Sequence, residues 1–213
     1  MFSGFAPEGV SWLRELQENN SRDWYQTHKE TYRIGLDEPG RQLLNFVEGK
    51  LAGYAGKLFR LHRDLRFSQD KRPYHCHLRI AWSSTNRASL FFSLEPDKLI
   101  LGSGGLVFDA SQLAGFRRRV IAEPDSLSTL LAPYRNSGYH LSPPELKRAP
   151  AGLSGEGAAS QWLRHKSLCL WREVPIPPVL YTAQAGDWCW EQWRAMAPFR
   201  GWLDLAWEAP DAL

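Results

Sequence analysis

Between residues 7 and 56 the apolar positions recur at helical spacing. Val10, Leu13 and Leu16, with Trp12 beside them, mark the inner face of a helix that Pro7 can open. Asn19-Asn20-Ser21 interrupts this pattern, and Asn20 or Ser21 can cap a second helix running through Trp24, Tyr25 and Tyr32. Asp37 followed by Pro39 predicts another helix start. Leu43, Leu44, Phe46, Val47 and Leu51 then give a helical stripe that ends in the Gly53 to Gly56 stretch.

From Leu58 the period changes to two. Phe59, Leu61, Leu65 and Phe67 alternate with Arg60, His62, Asp64, Arg66 and Ser68, interrupted only by Arg63, which predicts a half-buried strand. Ser68 to Pro73 is polar and ends in a residue that cannot donate to a ladder, so it reads as a turn. A second strand places Cys76, Leu78, Ile80 and Trp82 on one side, with His77, Arg79 and Ala81 on the other. Leu90, Phe92 and Leu94 define a third strand. Pro96-Asp97 turns the chain into a fourth, Lys98 to Leu101, closed by a turn or bulge at Gly102-Ser103-Gly104-Gly105. Links this short favour an antiparallel meander over a parallel sheet.

Beyond the glycines, Asp109 is an N-cap for a helix through Leu113, Phe116, Val120 and Ile121, and Asp125 starts a shorter one through Leu127 to Tyr134. Residues 137–157, rich in Gly and Pro, predict a long surface excursion. Lys166 to Val174 offers a fifth strand, and the Trp-rich end reads as helix broken at Pro198. The expected fold is therefore α+β, an antiparallel meander of four to five strands with helices packed on one face. One domain is expected over 1–213, with a helical part at 1–56, the sheet at 58–105, and a mixed part at 106–213.

Composition narrows the function classes without choosing one. The hydrophobic fraction of 43% fits a globular core, so disorder is not expected over most of the chain. A net charge of +3 permits an anionic partner without requiring one. No apolar run is long enough for a membrane span, and the N-terminus does not read as a signal peptide. Three widely spaced cysteines, Cys76, Cys169 and Cys189, point to neither a disulfide framework nor a thiolate metal site, so a cytoplasmic location is expected. Ten tryptophans are the compositional outlier, and helical spacing near the C-terminus places them in packing rather than in a stacking platform.

The candidate chemistry lies on the polar face of the first two strands, which would collect Arg60, His62, Asp64, Arg66, His75, His77, Arg79, Ser93 and Glu95. Guanidinium groups on neighbouring strands can present paired donors to phosphate or carboxylate. A histidine among them can move a proton near neutral pH. The structural alternative is a solvated network in which Asp64 and Glu95 pair with the arginines. His75-Cys76-His77 has two imidazoles at i and i+2, which Asp64 or His62 could join as ligands, a weak metal candidate because nothing at fixed spacing confirms it. Gly102 to Gly105 lacks the endings of a dinucleotide or phosphate loop. Arg117-Arg118-Arg119 spreads around a helix rather than forming one stripe.

With those residues in view, the chain resembles the bacterial and fungal proteins of domain-of-unknown-function family 2461. The likeness rests on Phe2-x-Gly-Phe5, on Asn19-Asn20-x-Arg22-x-Trp24, and above all on the run from His62 to His77. Gly105-Leu106, the run Leu146 to Gly152, and Lys166-Ser167 agree as well. The family more often has an aromatic residue at His62 and a threonine at Cys76, and the Trp-rich tail lies outside the matching blocks. The resemblance implies one intact α+β domain and brings no reaction. It directs attention to Arg63, Asp64, Arg66, Asp70, Lys71, Tyr74 and His77.

These observations lead to an expected binding site for a small phosphate- or carboxylate-bearing ligand. Arg66 and Lys71 would clamp the anion, Tyr74 would orient it, and Arg63, Asp70 and Arg79 would complete the site. His77, with Asp64, would handle a proton if the protein is an enzyme. The alternatives are a nucleic-acid or protein binding module, using the same face with Arg117 to Arg119 and Phe91, and an assembly subunit joined through the Trp-rich end. The sequence identifies no cofactor, substrate or oligomeric state.

Overall fold

A computed structural model describes residues 2–66, 69–135, 137–153 and 157–208 of the chain. Its first helix, α1 (Pro7–Glu18), has Pro7 in the opening turn and buries Val10, Trp12, Leu13 and Leu16, the face that the spacing predicts. Ser21 caps α2 (Arg22–Tyr32), its Oγ accepting a hydrogen bond from the Trp24 amide at 3.3 Å. The helix start expected at Asp37 and Pro39 is not a break. The chain passes from α2 through a π-helical turn, Arg33–Asp37, directly into α3 (Glu38–Glu48). Proline has no N–H to donate, and its ring crowds the carbonyl four residues back, here that of Gly35. A wider turn accommodates it: the Glu38 amide reaches back five residues to the Arg33 carbonyl and the helix continues.

Helix α1 packs on both α2 and this π turn. At the crossing, a Cβ on Gly9 would lie 2.5 Å from the Gly35 carbonyl oxygen, so the two backbones touch where no side chain fits.

Among the described residues six strands form one open antiparallel sheet. They are β1 (Ala55–Leu58), β2 (Leu78–Ser84), β3 (Arg87–Leu94), β4 (Lys98–Gly105), β5 (Tyr139–Leu141) and β6 (Leu168–Pro175), in the order β1-β2-β3-β4-β6-β5. The α+β class is as expected, with one strand more than foreseen. The addition, β5, lies inside the Gly- and Pro-rich excursion and pairs antiparallel with β6, Tyr139 opposite Arg172 and Leu141 opposite Leu170. The excursion is tied down further along. The Glu145 carboxylate accepts hydrogen bonds from the Lys166 amide (2.8 Å) and the Ser167 hydroxyl, and Leu146 and Arg164 exchange two more. The Leu146 and Lys166-Ser167 blocks are thus neighbours in space.

The largest correction concerns the first strand. It ends at Leu58, where the alternation was expected to begin, and residues 59–66 and 69–77 form a returning loop. Phe67 and Ser68, counted in that strand, lie outside the described residues. Two aspartates account for the bending: Asp64 Oδ1 accepts the Arg66 amide (3.1 Å) and Asp70 Oδ1 accepts the Arg72 amide (3.0 Å). Such i to i+2 bonds compete with a ladder for the same donors. Consequently Arg60, His62, Asp64 and Arg66 do not share a sheet face with Arg79.

Gly102 to Gly105 is likewise not a turn but the second half of β4. A Cβ on Gly102 would sit 2.3 Å from the Trp171 ring, and Gly104, at φ +139°, has the Leu168 carbonyl where its Cβ would be. Glycine here lets β6 approach. Asp109 caps α4 (Ala110–Ala122) in a full capping box with Gln112, and α5 (Ser126–Leu131) and the short α6 (Ala159–Trp162) follow. The Trp-rich end forms α7 (Ala185–Ala195) and α8 (Ala197–Glu208), and Pro198 opens α8 rather than breaking a helix.

The chain divides into two compact units, Met1–Trp82 with Phe91–Leu101 and Glu173–Gln192, and Ser83–Leu90 with Gly102–Arg172 and Trp193–Leu213. The core of the first gathers Leu13, Leu36, Leu43, Ile80, Trp82 and Phe92, with the Trp82 indole donating to the Leu44 carbonyl at 3.1 Å. The core of the second gathers Phe116, Leu127, Leu168, Trp193, Phe199 and Trp202. Tryptophan is here a packing residue, as its spacing predicts. No described helix is long and apolar enough to cross a membrane.

Gly9→Ala should cost about 1–3 kcal/mol, the usual penalty for forcing a methyl into a filled space. At roughly 2–4 °C per kcal/mol the midpoint of thermal unfolding should fall by several degrees. Gly201→Ala in α8, where a Cβ meets nothing within 4 Å, should hold or raise it in the same assay.

Candidate functional site

The returning loop is held by a side chain from the other end of the sequence motif set. Asn20, between α1 and α2, reads the backbone of Tyr74 in both directions: its Nδ2 donates to the Tyr74 carbonyl and its Oδ1 accepts the Tyr74 amide, both at 3.0 Å. The same Nδ2 lies 3.3 Å from Cys76 Sγ. Opposite, His62 and Tyr74 form an isolated antiparallel bridge, with the Arg63 amide on the Pro73 carbonyl (2.9 Å) and the His75 amide on that of Leu61 (2.8 Å). The Tyr74 ring is buried and stacks on Tyr25 at 4.5 Å between centroids, with His62 at its edge. Tyr74 is thus clasped along its backbone and both sides of its ring.

Asp70 organises the turn that follows. Besides the Arg72 amide, its carboxylate receives the guanidinium groups of Arg72 (2.7 Å) and Arg63. These contacts, the Arg72 ones first, hold its pKa far below the usual carboxylate range. The ion pairs fix where both guanidinium groups stand.

A cleft of about 660 Å³ opens beside this turn. Three segments line it: Arg14 and Gln17 of α1; Arg63, Asp70, Arg72 and Tyr74 to His77 of the returning loop; and Glu95-Pro96-Asp97 between β3 and β4. Arg14 Nε donates to the Pro96 carbonyl at 2.8 Å and so joins the first segment to the third. Within the cleft the imidazoles of His75 and His77 stack at 4.9 Å, their planes 29° apart. Burial, then Arg79, His75 and Arg63, push the His77 pKa down to about 3, and burial followed by Arg63, Arg79 and Arg60 lowers that of His75. Both rings are neutral at pH 7 and can accept a proton. Burial raises the Cys76 thiol, which therefore stays protonated.

Of the residues expected at the site, Arg63, Asp70, Tyr74, His75 and His77 meet in this cleft. Asp64 and Arg66 do not: they pair with each other at 2.6 Å, exposed on the loop. Lys71 is exposed and donates to the Leu65 carbonyl at 3.3 Å. Arg79 on β2 donates to Ser93 Oγ (3.2 Å) and lies 3.6 Å from Glu95. Arg66 and Lys71, expected to clamp an anion, therefore do not line the cleft, and the guanidinium groups of Arg63 and Arg72 stand there instead. Arg72 stood inside the long motif without being singled out, whereas Arg14 carried no sequence signal beyond its place on the outer face of α1. Among the described residues no group of three or more His, Cys, Asp and Glu is placed to hold a metal ion, so His75 and His77 have no third ligand. The arginine run of α4 is also committed in part, Arg119 donating to the Trp202 carbonyl at 3.0 Å.

Two outcomes follow from this arrangement. A histidine held below its ordinary pKa stays neutral while the unfolded chain takes up a proton, so it contributes stability above about pH 6.5 that is lost as pH falls toward about 3. His77→Gln should flatten that acid limb in urea unfolding measured across the window. Asn20→Ala should cost about 1–3 kcal/mol by leaving the Tyr74 amide and carbonyl without their partner. Faster hydrogen exchange at the Tyr74 amide would report the loss directly.

No curated protein and no solved structure matches the chain. A family model described as "Conserved hypothetical protein (DUF2461)" matches residues 8–202, past the Lys166-Ser167 block and through Trp188, Trp190, Trp193 and Trp202. Both the Asn20 block and the cleft-lining residues between Arg63 and His77 lie inside the match, and the chain belongs to the DUF2461 family.

Proposed function

We propose that the protein binds a small phosphate- or carboxylate-bearing ligand in the cleft beside the Asp70 turn. The observation that carries this reading is the neutral His75-His77 pair standing next to guanidinium groups whose positions are already fixed. Arg63 and Arg72 are ordered before any ligand arrives, which reduces the entropy lost on binding. Their planar donors suit a carboxylate or phosphate oxygen pair. Burial is the main cause of their low pKa, and the neighbouring guanidinium groups are a further one. An anion beside the imidazoles would offset the guanidinium part and so favour proton uptake as the ligand enters. The same geometry would let His77 return that proton to a bound substrate.

The cysteines are all thiols, with Cys169 and Cys189 buried. That state suits a reducing compartment, and a cytoplasmic location is part of the same proposal.

Thermal unfolding with inorganic phosphate, ethyl phosphate and butyrate tests the reading. A ligand at about 100 times its Kd adds roughly 2.7 kcal/mol, which is several degrees in a domain of this size. The shift should appear in the wild type, vanish in Arg72→Ala, and grow as pH is lowered from neutral because binding takes up a proton. Unchanged midpoints across the panel in the wild type would overturn the proposal.

A further inference from the structure

A cleft built for a simple anion should carry a net positive lining, and this one does not. Its lining holds three guanidinium groups, Arg14, Arg63 and Arg72, against three carboxylates, Asp70, Glu95 and Asp97. The charges are also sorted by segment. The lining residues Arg63, Asp70, Arg72 and Tyr74 to His77 supply two guanidinium groups and one carboxylate, with both imidazoles neutral. Arg14 and the turn at Glu95-Pro96-Asp97, which the Arg14 to Pro96 hydrogen bond joins, have one guanidinium and two carboxylates.

The carboxylates of that turn are only partly used. Glu95 Oε1 accepts the Ser93 hydroxyl (3.2 Å) and lies 3.6 Å from Arg79, which leaves Oε2 without a hydrogen bond among the described residues. Asp97 is exposed and makes no hydrogen bond or ion pair among the described residues. Lys98, the cation next to it in sequence, is committed to Glu173 at 2.8 Å. By contrast, Asp70 is fully engaged with Arg63 and Arg72. The acceptors open to a ligand cation therefore sit on the segment opposite in charge to the one that offers the guanidinium donors.

We infer that the ligand of this cleft is a zwitterion, a small molecule with an amino group and a phosphate or carboxylate, its anionic end on Arg63 and Arg72 and its ammonium on Asp97 and Glu95. The inference rests on the anion-binding reading and adds the second charge. It explains why a site with three arginines keeps as many carboxylates. The carboxylates of Asp97 and Glu95 also oppose entry of a bare anion, which must pass them to reach the guanidinium groups.

Isothermal calorimetry near neutral pH with aminoethyl phosphate, ethyl phosphate and ethylamine separates the possibilities. Aminoethyl phosphate should bind about tenfold or more tighter than ethyl phosphate, the gain expected from one charge-assisted contact. In Asp97→Asn the affinity for aminoethyl phosphate should fall while that for ethyl phosphate holds or rises, a pattern that misfolding cannot produce. The matched pair γ-aminobutyrate and butyrate repeats the comparison for a carboxylate. Equal or tighter binding of ethyl phosphate and butyrate in the wild type would overturn the zwitterion and leave the anion site standing. Absence of binding by every phosphate and carboxylate probe would overturn both.

Discussion

Asn20 does for Tyr74 what a neighbouring strand would otherwise do, offering a donor and an acceptor to one residue's amide and carbonyl at once. A loop crossing from β1 to β2 has too few backbone partners of its own to stay in one place, and loose polar groups near a buried ring are costly. With Tyr74 pinned, the residues after it leave in a set direction. His75, Cys76 and His77 then enter β2 with both imidazoles turned into the cleft. Asp70 performs the matching task on the other side of Pro73, holding Arg63 and Arg72 through one carboxylate. The position of every cleft residue between 63 and 77 follows from these two side chains.

Much of the fold was legible in the sequence because it depends on local pattern. The buried face of α1, the Ser21 cap, the Asp109 capping box and strands β2 and β3 follow from spacing and cap chemistry alone. The loop after β1 was not legible for an equally physical reason. Phe59, Leu61 and Leu65 do alternate, but the period-two signal reports only apolar positions. It is silent about Asp64 and Asp70 taking backbone amides two residues on. Leu61 is buried beneath the loop as it would be beneath a strand, and Phe59 is largely exposed. The glycines of β4 misled in a related way. Their small size serves the approach of Trp171 and Leu168, contacts more than sixty residues away in sequence that no local window contains.

The candidate site was legible in its parts and not in its assembly. The motif from His62 to His77 contains the imidazoles and two of the arginines, yet alternation assigned Asp64 and Arg66 to the same surface. In the fold they satisfy each other on the exposed side of the loop. Arg14 and Asp97 come from an outer helix face and a tight turn, where a charged residue is ordinary. Only the hydrogen bond from Arg14 to Pro96 makes them part of one wall.

The π turn at residues 33–37 has an effect beyond accommodating Pro39. One additional residue in a turn rotates everything after it by about 100° around the helix axis. Helix α2 accordingly points aromatic rings, Trp24, Tyr25 and Tyr32, toward Trp12 and Tyr74, while α3 buries Leu43 and Val47 in the core. A single rod thereby carries two differently aimed faces, and the turn sets the phase between them. A one-residue deletion there could restore a regular helix, and it would swing one face away from its partner. The chain thus tolerates an irregular hydrogen-bond ladder in order to keep two docking directions on one continuous segment.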